Sequence, residues 1–169
     1  ILPGNGASEL ITWAGFEASK YGKSCLPSPC FGDYERSLHC WNASFDYLEL
    51  PRNWSDIFPQ SFPLNPVCEV LWITNPHNPT GQLWNKKSIE RIIKKYKLVI
   101  CDEAFLSLTP QGEKESLIPL TRTHKNLIVI RSLTKLFNIA GLRLGYVVGS
   151  SEKLREWESK RDPWPLNSF

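Results

Sequence analysis

The sequence has no run of apolar residues long enough to cross a bilayer, and its first residues lack a basic segment followed by an apolar signal core. Neither a membrane partner nor a secretory leader is expected, and the expected location is cytoplasmic. Charge of one sign is also scarce: 20 Lys and Arg against 17 Asp and Glu leave a net +3. Its one basic concentration, Lys86, Lys87, Arg91, Lys94, Lys95 and Lys97, falls on an expected helix from Lys87 to Tyr96. Ile89, Ile92 and Ile93 supply the buried stripe of that helix, so the lysines read as a solvated face and no nucleic-acid partner is expected. The five cysteines, Cys25, Cys30, Cys40, Cys68 and Cys101, are odd in number and include no Cys-x-x-Cys pair. That argues against a zinc ribbon or a disulfide framework, and no metal site is expected. Internal repeats and low-complexity segments are missing as well. The Asn-x-Ser triplets at Asn42 and Asn53 have no secretory signal beside them and read as chance matches.

What is present is a chain of 169 residues, 41% hydrophobic, with material for one core and hence one domain. Apolar runs of strand length alternate with helical patterns. Helices are expected at about 8–21, where Leu10, Ile11, Ala14 and Ala18 face inward, and at 33–40, 86–96 and from Ser151. Strands are expected at 24–26, 44–50, 68–73, 98–102, 127–131 and 143–149. Such alternation predicts an α/β fold: a mostly parallel sheet with helices on both faces. The proline-rich stretch from Pro51 to Pro66 interrupts the pattern.

Polar residues cluster where three expected strands end. Val70 to Ile73 lead into Asn75-Pro76-His77-Asn78-Pro79-Thr80-Gly81, and Leu98 to Cys101 lead into Asp102-Glu103-Ala104. The third run leads into Arg131-Ser132-Leu133-Thr134-Lys135, with Arg143 eight positions beyond the lysine. Open α/β sheets bind ligands at the carboxyl ends of their strands. An unprotonated lysine aimed at an aldehyde can carry it as a Schiff base, while hydroxyls and a guanidinium neutralise a phosphate; Lys135, Ser132, Thr134 and Arg143 are of those types. Ser132-Leu133-Thr134-Lys135 also matches the Ser-x-x-Lys nucleophile of penicillin-binding proteins. That chemistry needs Ser-Asp-Asn and Lys-Thr-Gly elements, and neither string occurs. Cys101 reads as a small apolar filler, and His77 as a turn residue.

In order and spacing these motifs resemble the class I/II aminotransferases, fold type I of the pyridoxal-phosphate enzymes, from Pro3 to Phe169. The resemblance implies pyridoxal 5'-phosphate as cofactor, with Lys135 and Asp102 as the catalytic pair. Lys135 would form the Schiff base and Asp102 would pair with the pyridinium nitrogen, keeping it protonated so that the ring accepts electrons. By the same resemblance Asn78 meets the phenolic oxygen, and Ser132, Thr134 and Arg143 hold the phosphate. Phe31 would stack on the ring; read from its own position, it could equally be a core phenylalanine.

The opening Gly4-Asn5-Gly6-Ala7-Ser8-Glu9-Leu10 is similar to the phosphate turn of histidinol-phosphate aminotransferase relatives, which puts Gly6, Ala7 and Ser8 at the phosphate. An acidic residue is common where Ser8 stands. Phe105 replaces a tyrosine that often donates to the phenolic oxygen. Pro29 to Leu38, Asp102 to Phe105 and Ser116 to Leu120 look most like threonine-phosphate decarboxylase of the cobalamin pathway. The resemblance further implies a homodimer, an amino acid or phosphorylated amine as substrate, and a fragment: a large domain at 1–169 without an N-terminal arm or a C-terminal small domain. A truncated cofactor-binding domain without activity is the alternative, and the bond that breaks, C–H in transamination or C–C in decarboxylation, stays open.

Overall fold

The computed structural model describes residues 1–51 and 57–166. Two sequence features, the triplet at Asn53 and the last residues after Leu166, lie outside the described residues. Seven strands form one sheet: β1 (Leu2–Asn5), β2 (Ser24–Ser28), β3 (Phe45–Glu49), β4 (Val70–Thr74), β5 (Leu98–Asp102), β6 (Leu127–Ser132) and β7 (Leu144–Val148). Their order is β1-β7-β6-β5-β4-β2-β3. Only β7 runs against its neighbours, pairing antiparallel with both β1 and β6, while β2 to β6 pair in parallel.

Alternation along the strands splits the core in two. Val70, Trp72, Leu98, Ile100, Ile128 and Ile130 point to the face that carries α1 (Gly6–Ser19), α2 (Gly32–Cys40) and α4 (Ser151–Lys160). Leu71, Ile73, Val99, Cys101, Leu127 and Val129 point to the other, where α3 (Lys86–Ile93) lays down Ile89 and Ile93. Helices therefore cover both faces, and β4 and β5, with all five residues of each buried, read as continuous apolar runs. Ile92 is half-buried at the edge of that stripe, and Lys87, Arg91, Lys94, Lys95 and Lys97 are exposed. Among the described residues no helix is long and apolar enough to cross a membrane.

Several boundaries move for identifiable reasons. α1 starts at Gly6, two residues before the expected helix, because Gly6 adopts a left-handed φ of +74° that turns β1 into the helix. α3 stops at Ile93. Its start is fixed by Asn85, whose side chain accepts from the Ser88 amide. β7 starts at Leu144 because Arg143 sits at φ +49°, off the strand conformation. β1 was not expected: four residues containing Pro3 and Gly4 carry little strand signal, and only its edge position makes the proline tolerable. Three 3₁₀ turns, Leu106–Leu108, Gly112–Glu115 and Ile118–Arg122, fill the link from β5 to β6.

Candidate functional site

One cleft opens where β4, β5 and β6 end. It is lined by Ala7, Ser8, Ile11, Phe31, Thr74, Asn78, Asp102, Ala104, Phe105, Ser132, Thr134, Lys135 and Arg143. Nine of the ten residues singled out from the sequence thus meet at one place, and the tenth, Gly6, supports it from behind. A Cβ on Gly6 would come within 2.7 Å of Arg143 Nη2, and the φ of +74° is one that residues with a side chain rarely adopt. Gly145 is similarly constrained: its Cβ would stand 2.9 Å from the Ala7 amide nitrogen and 2.9 Å from the Arg131 carbonyl.

The floor of one end is suited to an anion. α1 begins at Gly6 without a side-chain cap, since the Glu9 carboxylate instead accepts the Asn5 amide at 2.5 Å. Ala7 and Ser8, in the first turn, line the cleft, so the positive end of the helix dipole faces it. The same cleft is lined by Ser132 and Thr134, whose hydroxyls are 2.8 Å apart, and by Arg143. Two hydroxyls, a guanidinium and a helix start form a donor set matched to a phosphate.

The other end is acidic and deep. Asp102 closes β5 and is 5% exposed. Its Oδ1 accepts the Ala104 amide at 2.9 Å and its Oδ2 accepts the Tyr34 hydroxyl at 2.8 Å. Burial pushes its pKa above the ordinary carboxylate value, and the Tyr34 hydrogen bond is the largest influence in the opposite direction. Lys135 is exposed at the mouth, its Nζ 5.7 Å from the centre of the Phe105 ring. Among the described residues it forms no ion pair. Phe31 is 41% exposed on the lip, so it is a cleft residue rather than a core one.

His77 behaves as the turn residue expected of it: buried, with Nδ1 2.7 Å from the Thr80 hydroxyl, in a turn closed by hydrogen bonds from His77 N to Gln82 O and Gly81 N to His77 O. Cys101 is fully buried, and burial raises its thiol well above the ordinary value, so it is an inert filler. Sequence reasoning missed Thr74 and Tyr34. Thr74 carried a signal, because it ends β4 directly beside Asp102 in the parallel register. Tyr34 carried none: its contact with Asp102 spans 68 positions.

A mostly parallel sheet with a single reversed strand, and a lysine, a buried aspartate and a set of anion-compatible donors at its strand ends, defines an α/β domain with a candidate cofactor site. Residues 2–165 match the family model for aminotransferase class I and II, and the chain belongs to that family. It is 35% identical, over its whole length, to the protein of Caldanaerobacter subterraneus subsp. tengcongensis named "Putative threonine-phosphate decarboxylase", of which it covers 47%. Over 99% of the chain it is 31% identical to histidinol-phosphate aminotransferase 1 of Burkholderia lata, again covering 47% of that protein. Among solved structures, the histidinol-phosphate aminotransferase of Clostridium acetobutylicum superposes with a TM-score of 0.81 at 25% identity, covering 98% of this chain and 50% of that one. The chain thus spans about half the length of the relatives it matches.

Proposed function

We propose that the protein containing this chain is a pyridoxal-phosphate enzyme acting on an amino acid or a phosphorylated amine, with Lys135 as the residue that bonds the cofactor's aldehyde. The observation carrying this reading is the convergence in one cleft of Lys135, buried Asp102 and the donor set of Ser132, Thr134 and Arg143. The residues present fit the cofactor. Gly6, having no Cβ, lets the Arg143 guanidinium lie beside the first turn of α1, where a phosphate would sit, and Asp102 would face the ring nitrogen. When bound, the protonated pyridine ring accepts the electron pair released as a bond at the substrate's alpha carbon breaks.

The remaining tasks fall to side chains. Asp102 holds a proton on the ring nitrogen. Asn78 orients the phenolic oxygen, without the help of a tyrosine where Phe105 stands. Phe31 covers one face of the ring and excludes water. Lys135 Nζ would move a proton to and from the substrate's alpha carbon. Which bond at the alpha carbon breaks would depend on how the substrate carboxylate is held.

Borohydride reduction of the full-length protein followed by peptide mapping is expected to fix the cofactor on Lys135; label on another lysine, or none, refutes the assignment. Incubation with threonine phosphate and with histidinol phosphate, each with and without 2-oxoglutarate, separates the two reactions. Carbon dioxide released without acceptor marks decarboxylation, whereas glutamate formed only with acceptor marks transamination. A homodimer of the full-length protein is supported by an apolar rim: Phe105 and Leu108 line a recess shared with Asn78, and Leu136 and Phe137 are exposed just beyond Lys135. Sedimentation of the full-length protein as a monomer at micromolar concentration would remove that assembly.

A further inference from the structure

Tyr34 lies beneath the cleft, 2% exposed, on the first turn of α2. Its hydroxyl stands 2.8 Å from Asp102 Oδ2 and 2.9 Å from Thr74 Oγ1. A phenol has one proton to give and an ionised carboxylate can only accept, so that proton points at Asp102. The Thr74 hydroxyl is then the donor to the phenol oxygen. The result is a directed chain, Thr74 to Tyr34 to Asp102, in which each bond polarises the next. The other carboxylate oxygen is taken by the Ala104 amide. The two oxygens of Asp102 are therefore held from separate elements, one from the turn after β5 and one from α2.

The position of the hydroxyl is itself fixed by packing. The Tyr34 ring lies 5.4 Å from the Trp72 ring and meets Phe31 edge-on at 5.7 Å. These contacts need the ring alone, so a phenylalanine at this position would keep them. What the oxygen adds is specific to Asp102. Burial of Asp102 favours its neutral form, Asp33 adds repulsion in the same direction, and the Tyr34 bond and the Ala104 amide oppose them. The cations sharing the cleft are Lys135 and Arg143.

We propose that Tyr34 is a positioning residue whose hydroxyl, backed by Thr74, keeps the Asp102 carboxylate aimed into the cleft as an anion and thereby sets how firmly the cofactor's ring nitrogen keeps its proton. The proposal rests on the pyridoxal-phosphate reading above. Without the phenol proton Asp102 becomes more basic, and a more basic carboxylate takes a larger share of the proton it holds jointly with the ring nitrogen.

Tyr34→Phe in the full-length protein tests this by two readouts that do not involve turnover. In the cofactor-free protein, the Asp102 side-chain carbon resonance, assigned by its loss in Asp102→Asn, is expected to titrate about one pH unit higher in Tyr34→Phe. Thr74→Val is expected to shift it in the same direction by less. In the cofactor-loaded protein, the nitrogen resonance of ¹⁵N-labelled cofactor is expected to move toward that of an unprotonated pyridine. If Tyr34 only fills space, Tyr34→Phe leaves both readouts at their wild-type values, and that result overturns the proposal. A wild-type protein that fixes no cofactor on Lys135 overturns the cofactor half together with the reading beneath it, and it is recognised in the wild type, before any variant is made.

Discussion

Asp102 and Glu103 are consecutive buried carboxylates at the end of β5, and they serve opposite ends. Alternation along the strand sends Asp102 into the cleft and Glu103 away from it. Glu103 is met by Arg131 Nε at 2.8 Å, the Ser116 hydroxyl at 2.9 Å and the Leu117 amide at 2.6 Å. Arg131 continues to Glu113 and Ser107, so the cluster ties β5, β6 and two of the 3₁₀ turns together. Asp102 has a phenol and one amide and no bonded cation. Burial raises the pKa of both, but the opposing influence is the Arg131 charge for Glu103 and a neutral hydroxyl for Asp102. The first arrangement is a clamp that holds strand ends in register. The second leaves a partly compensated charge facing the cleft.

That contrast can be broken most sharply at Asp102. Asp102→Asn is expected to lower turnover of the full-length enzyme by about 10²–10³-fold, with cofactor still retained through the phosphate donors. The same variant is expected to melt no lower than wild type in the cofactor-free form at pH 7. The sign follows from linkage: a folded-state pKa raised above the unfolded one means the folded protein binds more protons, so this carboxylate subtracts stability as pH rises. Turnover near wild type, or a clear drop in melting temperature, contradicts the division of roles.

The clamp should respond in the reverse way. Arg131→Met strands Glu103 as an unpaired buried charge, at an expected cost of about 3–5 kcal/mol. Denaturant titration of the single variant and of Arg131→Met with Glu103→Leu checks this, since the double variant should recover most of the loss. Equal losses in both would show that packing, not the charge, is responsible.

Gly145 touches both regions, with the Arg131 carbonyl on one side and the Ala7 amide on the other. Gly145→Ala is expected to destabilise by about 1–3 kcal/mol through overpacking, and to weaken cofactor phosphate binding as α1 is pushed off. A variant with wild-type stability and cofactor affinity would mean that the strand and helix separate more easily than the distances imply.

The smallest effect belongs to the exposed end of the clamp. The Arg131 hydrogen bonds hold Glu113 down at about 2. Its contribution is therefore present above the unfolded value of about 4.3 and lost as pH falls through about 2. Because the Glu113 side chain is 62% exposed, Glu113→Gln should cost under about 1 kcal/mol at pH 7. The gap between variant and wild type in thermal melts should close on acidification across that window, and a gap that is constant with pH speaks against the charge.

Much of the fold was legible in residue order. The apolar runs leading into Asn75, Asp102 and Ser132 mark three parallel strands, and the polar residues at their ends mark where the cleft opens. β1 was not legible, because Leu2-Pro3-Gly4-Asn5 becomes a strand only by pairing with β7 across more than 140 positions. Nor was the fate of Glu103, whose sequence context is the same as that of Asp102. A carboxylate beside a carboxylate gives no hint of which faces a cation.

The turn at Gly6 was read from the family resemblance; by itself, the sequence determined the layered α/β pattern and the candidate set around Lys135. Those are properties of periodicity, of local turn chemistry and of residue type, which neighbours along the chain suffice to set. Only the tertiary structure decided that Tyr34 bonds Asp102, that Arg131 belongs to Glu103 rather than to the cleft, and that the Arg143 guanidinium lies against Gly6. Each of those depends on contacts between elements far apart in the chain, and hydrogen bonds and ion pairs act over a few ångströms of space irrespective of separation in sequence.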